Sequence, residues 1–253
     1  MKDYRNIIFA SAFLGLGGIY FFYTTYIDFF ISSLITSVVL SAIFVGLLAR
    51  KNKILADSLS FYIFPILSTI SLFAGSTLIN RQWIYWLGLI FCLLNAFYFK
   101  QVYIYHFKTK EYKIGTLQNF SNYANLIVFM IFSAAMYGFR SELGSTTWLS
   151  MIGILSYALL LIYHLFWANK IEFKDMRLTL PIAVIAITQV AWGISMLPFD
   201  YLSSAILLSI TFYTLSNIAK FQLQAELDGL KIKFYLSFST ISYILIFLSV
   251  RWL

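Results

Sequence analysis

The chain has 253 residues, of which 61% are hydrophobic and 11% charged, and its formal net charge is +8. An ordinary soluble domain carries about 25% charged residues, so composition alone assigns this chain to a membrane and excludes a large soluble catalytic domain within it. Its one cysteine, Cys92, excludes an intrachain disulfide and leaves the redox compartment undefined.

A hydrocarbon core about 30 Å thick takes roughly 20 helical residues to cross, and apolar runs of that length predict nine spans. The first, 7–26, follows the basic start MKDYR. Its apolar run is too long for a signal-peptide core and leads at once into another span, so an uncleaved first helix is expected. Span two, 29–49, sets Ser33, Ser37 and Ser41 on one helical face, as Ser11 and Gly15 are set in span one. Span three, 59–79, repeats the pattern with Ser68, Ser71 and Gly75. Faces of small residues let membrane helices approach closely, and a polar lining is the alternative. Span four, 83–103, carries Asn95, and span five, 119–138, carries Asn125 with Asn122 a turn below it. Span six is 147–168. Span seven, 178–197, reads LTLPIAVIAITQVAWGISML, with Pro181 in its first turn and Gln189 near mid-depth. Trp192, Gly193 and Met196 share the face of Gln189. Spans eight and nine, 200–219 and 234–250, complete an all-α integral membrane bundle of about nine transmembrane helices, a single polytopic domain over 1–253.

Orientation follows the basic residues of short loops. With the N-terminus in the cytoplasm, 15 of the 18 Lys and Arg residues fall on the inner side, and only Arg81, Arg140 and Arg251 fall outside. The C-terminus is then outside, in a bacterial cytoplasmic membrane. The positive charge is therefore topological. Its lysines are dispersed over short loops, which argues against a nucleic-acid surface. The cluster FKTKEYK at 107–113 suits contact with anionic headgroups or serves as a stop-transfer flank. Trp83, Trp86, Trp148 and Trp252 mark outer span ends and Trp167 an inner one, whereas Trp192 lies inside span seven. The outer connections are short except FRSELGSTT at 139–147, which leaves no room for a receptor-like domain. The inner linker KFQLQAELDGLKIK presents Phe221, Leu223, Leu227 and Leu230 as an apolar edge toward lipid or a protein partner.

Every carboxylate falls in a loop or at a span end, which removes the commonest design of ion-coupled carriers and the buried pair of an aspartyl protease. No HExxH or GxSxG is present. His106 and His164 lie at cytoplasmic ends of different spans without metal-ligand spacing. No catalytic, cofactor or metal site is expected. The polar candidates are therefore amides, because an unpaired amide in hydrocarbon loses several kcal/mol and must find a partner or a wet surface. Gln189, Trp192, Asn95 and Asn125 are the candidate polar lining, and helix-packing hydrogen bonds are the competing role.

From Thr188 to Leu227 the chain reads TQVAWGISMLPFDYLSSAILLSITFYTLSNIAKFQLQAEL. In that stretch it resembles an uncharacterised family of polytopic bacterial inner-membrane proteins. The resemblance covers the C-terminal half and implies topology, not chemistry. The leading functional expectation is transport or binding of a neutral or hydrophobic small molecule. The alternatives are a membrane-embedded scaffold or accessory subunit with an unknown protein partner, and thirdly a lipid-modifying enzyme.

Overall fold

The structure is a computed structural model that describes residues 2–49, 60–107 and 115–249. Among them are nine α-helices, joined early by one 3-10 turn, and no strand. We number them α1 (Lys2–Thr25), α2 (Phe30–Ala49), α3 (Ser60–Ser76), α4 (Arg81–Phe107), α5 (Thr116–Leu143), α6 (Thr147–Ala168), α7 (Phe173–Ser195), α8 (Tyr201–Leu223) and α9 (Gly229–Ser249). One helix occupies each position where a span was expected. Seven of them, α2 and α4 to α9, are long and apolar enough to cross a membrane, while α3 is shorter at 17 residues. The surface agrees with an apolar surrounding. Leu178, Ile241 and Leu248 are all more than half exposed, and water would drive such faces together.

The chain divides into two compact units, Met1–Ala124 and Asn125–Leu253. In the first, α1 packs on α2 and α4, and α3 packs on both α2 and α4. The serine stripes form its interior. Ser33, Ser37 and Ser41 of α2 and Ser68 and Ser71 of α3 are buried, and the hydroxyls of Ser41 and Thr69 lie 3.3 Å apart. Small residues serve close helix approach here. In span one the stripe divides, for Gly15 lies against Leu40 and Phe44 of α2 while Ser11 is exposed. Helix α1 comes close to α4 at Gly88. A Cβ there would stand 2.3 Å from the ring of Tyr20, whose hydroxyl donates to the Ile84 carbonyl at 3.1 Å.

Pro65 sits inside α3. A proline has no N–H for the carbonyl four residues before it, here that of Phe61. The hydroxyl of Tyr98 on α4 donates to that carbonyl at 3.3 Å, so a neighbouring helix supplies the missing donor.

In the second unit, α6 packs on α7, α7 on α8 and α8 on α9. Helix α5 is held to them by long side chains, with Phe132 stacked on Tyr157 of α6 and Phe129 on Phe212 of α8. Hydroxyl pairs Thr211–Tyr243 and Thr214–Ser239 join α8 to α9.

Two local expectations are corrected. Pro181 is not in the first turn of its helix, because α7 begins at Phe173 with Glu172 as its N-cap residue. The amphipathic lead KDMRLT, polar apart from the buried Met176 and the exposed Leu178, extends the helix beyond the apolar run that marks the span. Likewise FRSELGSTT is mostly not a loop. Helix α5 continues to Leu143, which leaves Gly144–Thr146 as the connection and puts Arg140 in the last helical turn. Gly144 makes the reversal with φ of +65°, a backbone region that glycine enters without strain. The basic cluster at 107–113 falls almost wholly outside the described residues. In the last turn of α8, Phe221 does not form a bare apolar edge, since the ammonium groups of Lys220 and Lys231 lie 4.3 and 4.4 Å from its ring.

Candidate functional site

The three amides have different surroundings. Asn95 is buried in the first unit. Its Nδ2 donates to the Phe91 carbonyl of its own helix at 3.0 Å, and its Oδ1 accepts from Ser68 of α3 at 2.9 Å. Asn125 is also buried, and its Nδ2 donates across to the Leu161 carbonyl of α6 at 3.2 Å. That leaves its Oδ1 to accept from Nδ1 of His164, 3.2 Å away, which fixes the proton on Nδ1 when the imidazole is neutral. Both asparagines thus join two helices. Interhelical bonds of this kind contribute about 0.6 kcal/mol on average in a membrane and specify which faces meet.

Gln189 differs: it is exposed, and its side chain makes no hydrogen bond among the described residues. It opens into a cleft of about 460 Å³ in the second unit. One wall comes from the first half of α6, including Trp148, Met151 and Leu155, and the other from the second half of α7, including Ile185 and Trp192. Its surface is mainly apolar, with Thr188, Gln189, Ser195 and Arg140 as polar points. Trp148 and Trp192 are both more than half exposed, so the cleft opens on the outer face of the helix pair. The predicted face Gln189, Trp192 and Met196 therefore lines one cavity, whereas Asn95 and Asn125 do not line it. Gly193 is not a packing gap, because a Cβ there would meet nothing within 4 Å. Gln189 lies about 9 Å from the C-terminal end of α7 at 1.5 Å per residue, closer to the end than the apolar run suggested.

Arg140 is the site residue missed in the sequence. One of its Nη groups donates to the carbonyl of Ser195, one of the last-turn carbonyls that a helix cannot satisfy internally. The cation also faces the negative end of the α7 dipole. Nearby, Tyr137 of α5 donates to the Ala191 carbonyl at 3.0 Å. These two bonds fix the end of α7 against α5. Beyond Arg140 lies a second pocket of about 320 Å³, mainly polar, with Tyr137, Ser141, Tyr201 and Ser204 in its wall. Arg140 and Ser195 line both cavities, and among the described residues no carboxylate lines either. The one sequence signal is topological: the distribution of Lys and Arg assigns Arg140 to the side expected to carry few basic residues.

At the next turn, Asp200 accepts from the backbone N–H groups of Leu202 and Ser203, both at 3.1 Å, and so caps α8. Partial burial pushes its carboxyl up, but hydrogen bonds from Ser203 and the backbone outweigh this and hold it below the usual range.

Helices that can cross a membrane and a cleft open on their outward surface define a multi-pass helical membrane protein. The chain belongs to the family described as Protein of unknown function (DUF5656), whose model matches residues 11–250. The match extends through the N-terminal half as well as the stretch that carried the resemblance. No curated protein and no solved structure matches the chain.

Proposed function

We propose that this protein binds a lipid-like small molecule in the cleft between α6 and α7, with Gln189 and Trp192 in contact with it. The observation that supports this most is the unpartnered amide of Gln189 in a mainly apolar, outward-opening cleft. Asn95 and Asn125 are engaged in helix contacts, and an amide of the same polarity would be expected to find such a partner unless another molecule supplies it. The volume of about 460 Å³ falls in the range of small-molecule sites. In this reading the chain crosses a bacterial cytoplasmic membrane nine times with its N-terminus inside. The cleft then opens to the outer leaflet, and binding accompanies transport or presentation of the molecule, with no covalent chemistry.

The second reading is a scaffold or accessory subunit, and one observation favours it. Only Ser239 of α9 is buried, so this helix keeps almost its whole apolar surface for lipid or another chain. Gln189→Leu separates the two. A lining role predicts an unchanged unfolding temperature in detergent and reduced co-purifying lipid in native mass spectrometry. A contact role for Gln189 predicts a lower unfolding temperature with lipid retained, and that outcome contradicts the first reading.

A further inference from the structure

We infer that the molecule held by this protein is an anionic, phosphate-bearing lipid, with its phosphate in the polar pocket beside Arg140 and its acyl chain in the apolar cleft. This rests on the binding role just proposed and adds the chemical class. The argument begins with the position of Arg140. It lines both cavities, so an occupant that fills the two meets this residue in each. An intramembrane or interfacial cation is normally paired. Yet among the described residues no carboxylate lies within ion-pair distance of Arg140, and its guanidinium donates only to the neutral Ser195 carbonyl. A guanidinium has several N–H groups, and one bond to Ser195 leaves the rest for an acceptor.

The polar pocket supplies further donors. Tyr201 and Ser204 line it, and their hydroxyls make no hydrogen bond among the described residues. The nearest acids in sequence do not neutralise it: Glu142 and Asp200 line neither cavity, and Asp200 is engaged with backbone N–H groups. A cation, free hydroxyl donors and no competing carboxylate suit a phosphate, whose several oxygens accept charge-assisted bonds. In the other cavity that Arg140 lines, Trp148, Leu155 and Ile185 offer an apolar wall that a bare phosphate could not use. A free phosphate ion would leave the cleft unexplained, and a neutral lipid would leave the cation unpaired. A phosphate on an acyl chain accounts for both.

The test uses the full chain, purified in a neutral detergent and titrated in native mass spectrometry. The probes are phosphatidic acid, diacylglycerol with the same acyl chains, and inorganic phosphate. Phosphatidic acid should bind at least about tenfold more tightly than diacylglycerol, the equivalent of about 1.4 kcal/mol. Arg140→Gln should remove that preference, and Arg140→Lys should keep part of it. If Arg140→Gln unfolds through loss of the Ser195 bond, the pair Tyr201→Phe with Ser204→Ala should still reduce the preference several-fold. Equal binding of the two lipids, or a preference that survives these variants, overturns the phosphate assignment and leaves the binding role standing. Inorganic phosphate at low millimolar concentration displacing all phosphatidic acid overturns the lipid source. Failure of either lipid to bind, or binding unchanged by the cleft-filling variant Ile185→Trp, overturns the binding role itself.

Discussion

The guanidinium of Arg140 at the end of α5 satisfies the carbonyl of Ser195 at the end of α7, and so one side chain both closes a helix terminus and borders two cavities. Hydrogen bonds to charged groups contribute about 1.5–3 kcal/mol. Arg140→Leu should therefore lower the unfolding temperature measurably, and Arg140→Lys should recover part of the loss. Thermal unfolding in detergent checks this. A leucine variant as stable as the wild type would remove the structural half of the residue's role.

The Tyr98 hydroxyl stands in for the N–H that Pro65 lacks. Tyr98→Phe should cost about 0.5–1.5 kcal/mol in the wild-type background. In a Pro65→Ala background the new N–H reaches the Phe61 carbonyl along the helix, and the loss should shrink. A double-mutant cycle measures the coupling. Equal losses in both backgrounds would show that the two residues act independently.

Gly88 and Tyr20 set the spacing of α1 and α4. Gly88→Ala places a Cβ into the Tyr20 ring, and overpacking of this kind costs about 1–3 kcal/mol. The double variant Gly88→Ala with Tyr20→Leu should be less destabilised by the alanine than the wild type is. Unfolding midpoints of the four proteins decide it.

Asp200 gives a pH dependence with a defined sign. Its carboxyl titrates below the usual range in the folded chain, with burial opposing and hydrogen bonds from Ser203 and the backbone prevailing. Its contribution is present in full above the ordinary aspartate range near about pH 4 and is lost as the pH falls through the depressed value. Asp200→Asn keeps an acceptor at the cap and should flatten this acid-side loss, whereas Asp200→Ala should cost about 0.5–2 kcal/mol near neutral pH. Unfolding temperatures of the three proteins from pH 3 to pH 7 provide the check, and parallel curves would contradict it.

The positions of the helices were legible because hydrophobic run length is a direct consequence of bilayer thickness, as α6 shows with the same bounds in sequence and structure. Helix ends were less so. Polar turns at Phe173–Arg177 and Phe139–Leu143 are helical although they break the apolar run, since hydropathy reports burial in lipid and not backbone geometry. For the site, periodicity correctly placed Gln189, Trp192 and Met196 on one face. It could not tell Gln189 from Asn95 and Asn125, because a helical pattern gives the direction of a side chain and not its neighbour. The partners that set them apart, Ser68 and His164, are 27 and 39 residues away in the chain. Arg140 was hidden for a related reason: read as a loop charge, it had no helix end to cap.

The central claim, an occupied cleft between α6 and α7, is tested most directly by photo-crosslinking in native membranes. A photoreactive residue at Ile185, in the cleft wall, is compared with one at Leu178, an exposed position on the same helix that does not line the cleft. The account predicts a discrete lipid adduct at position 185, distinct from a broad bulk-lipid distribution at position 178. Identical adducts at the two positions, or a crosslinked protein chain at position 185, would contradict it.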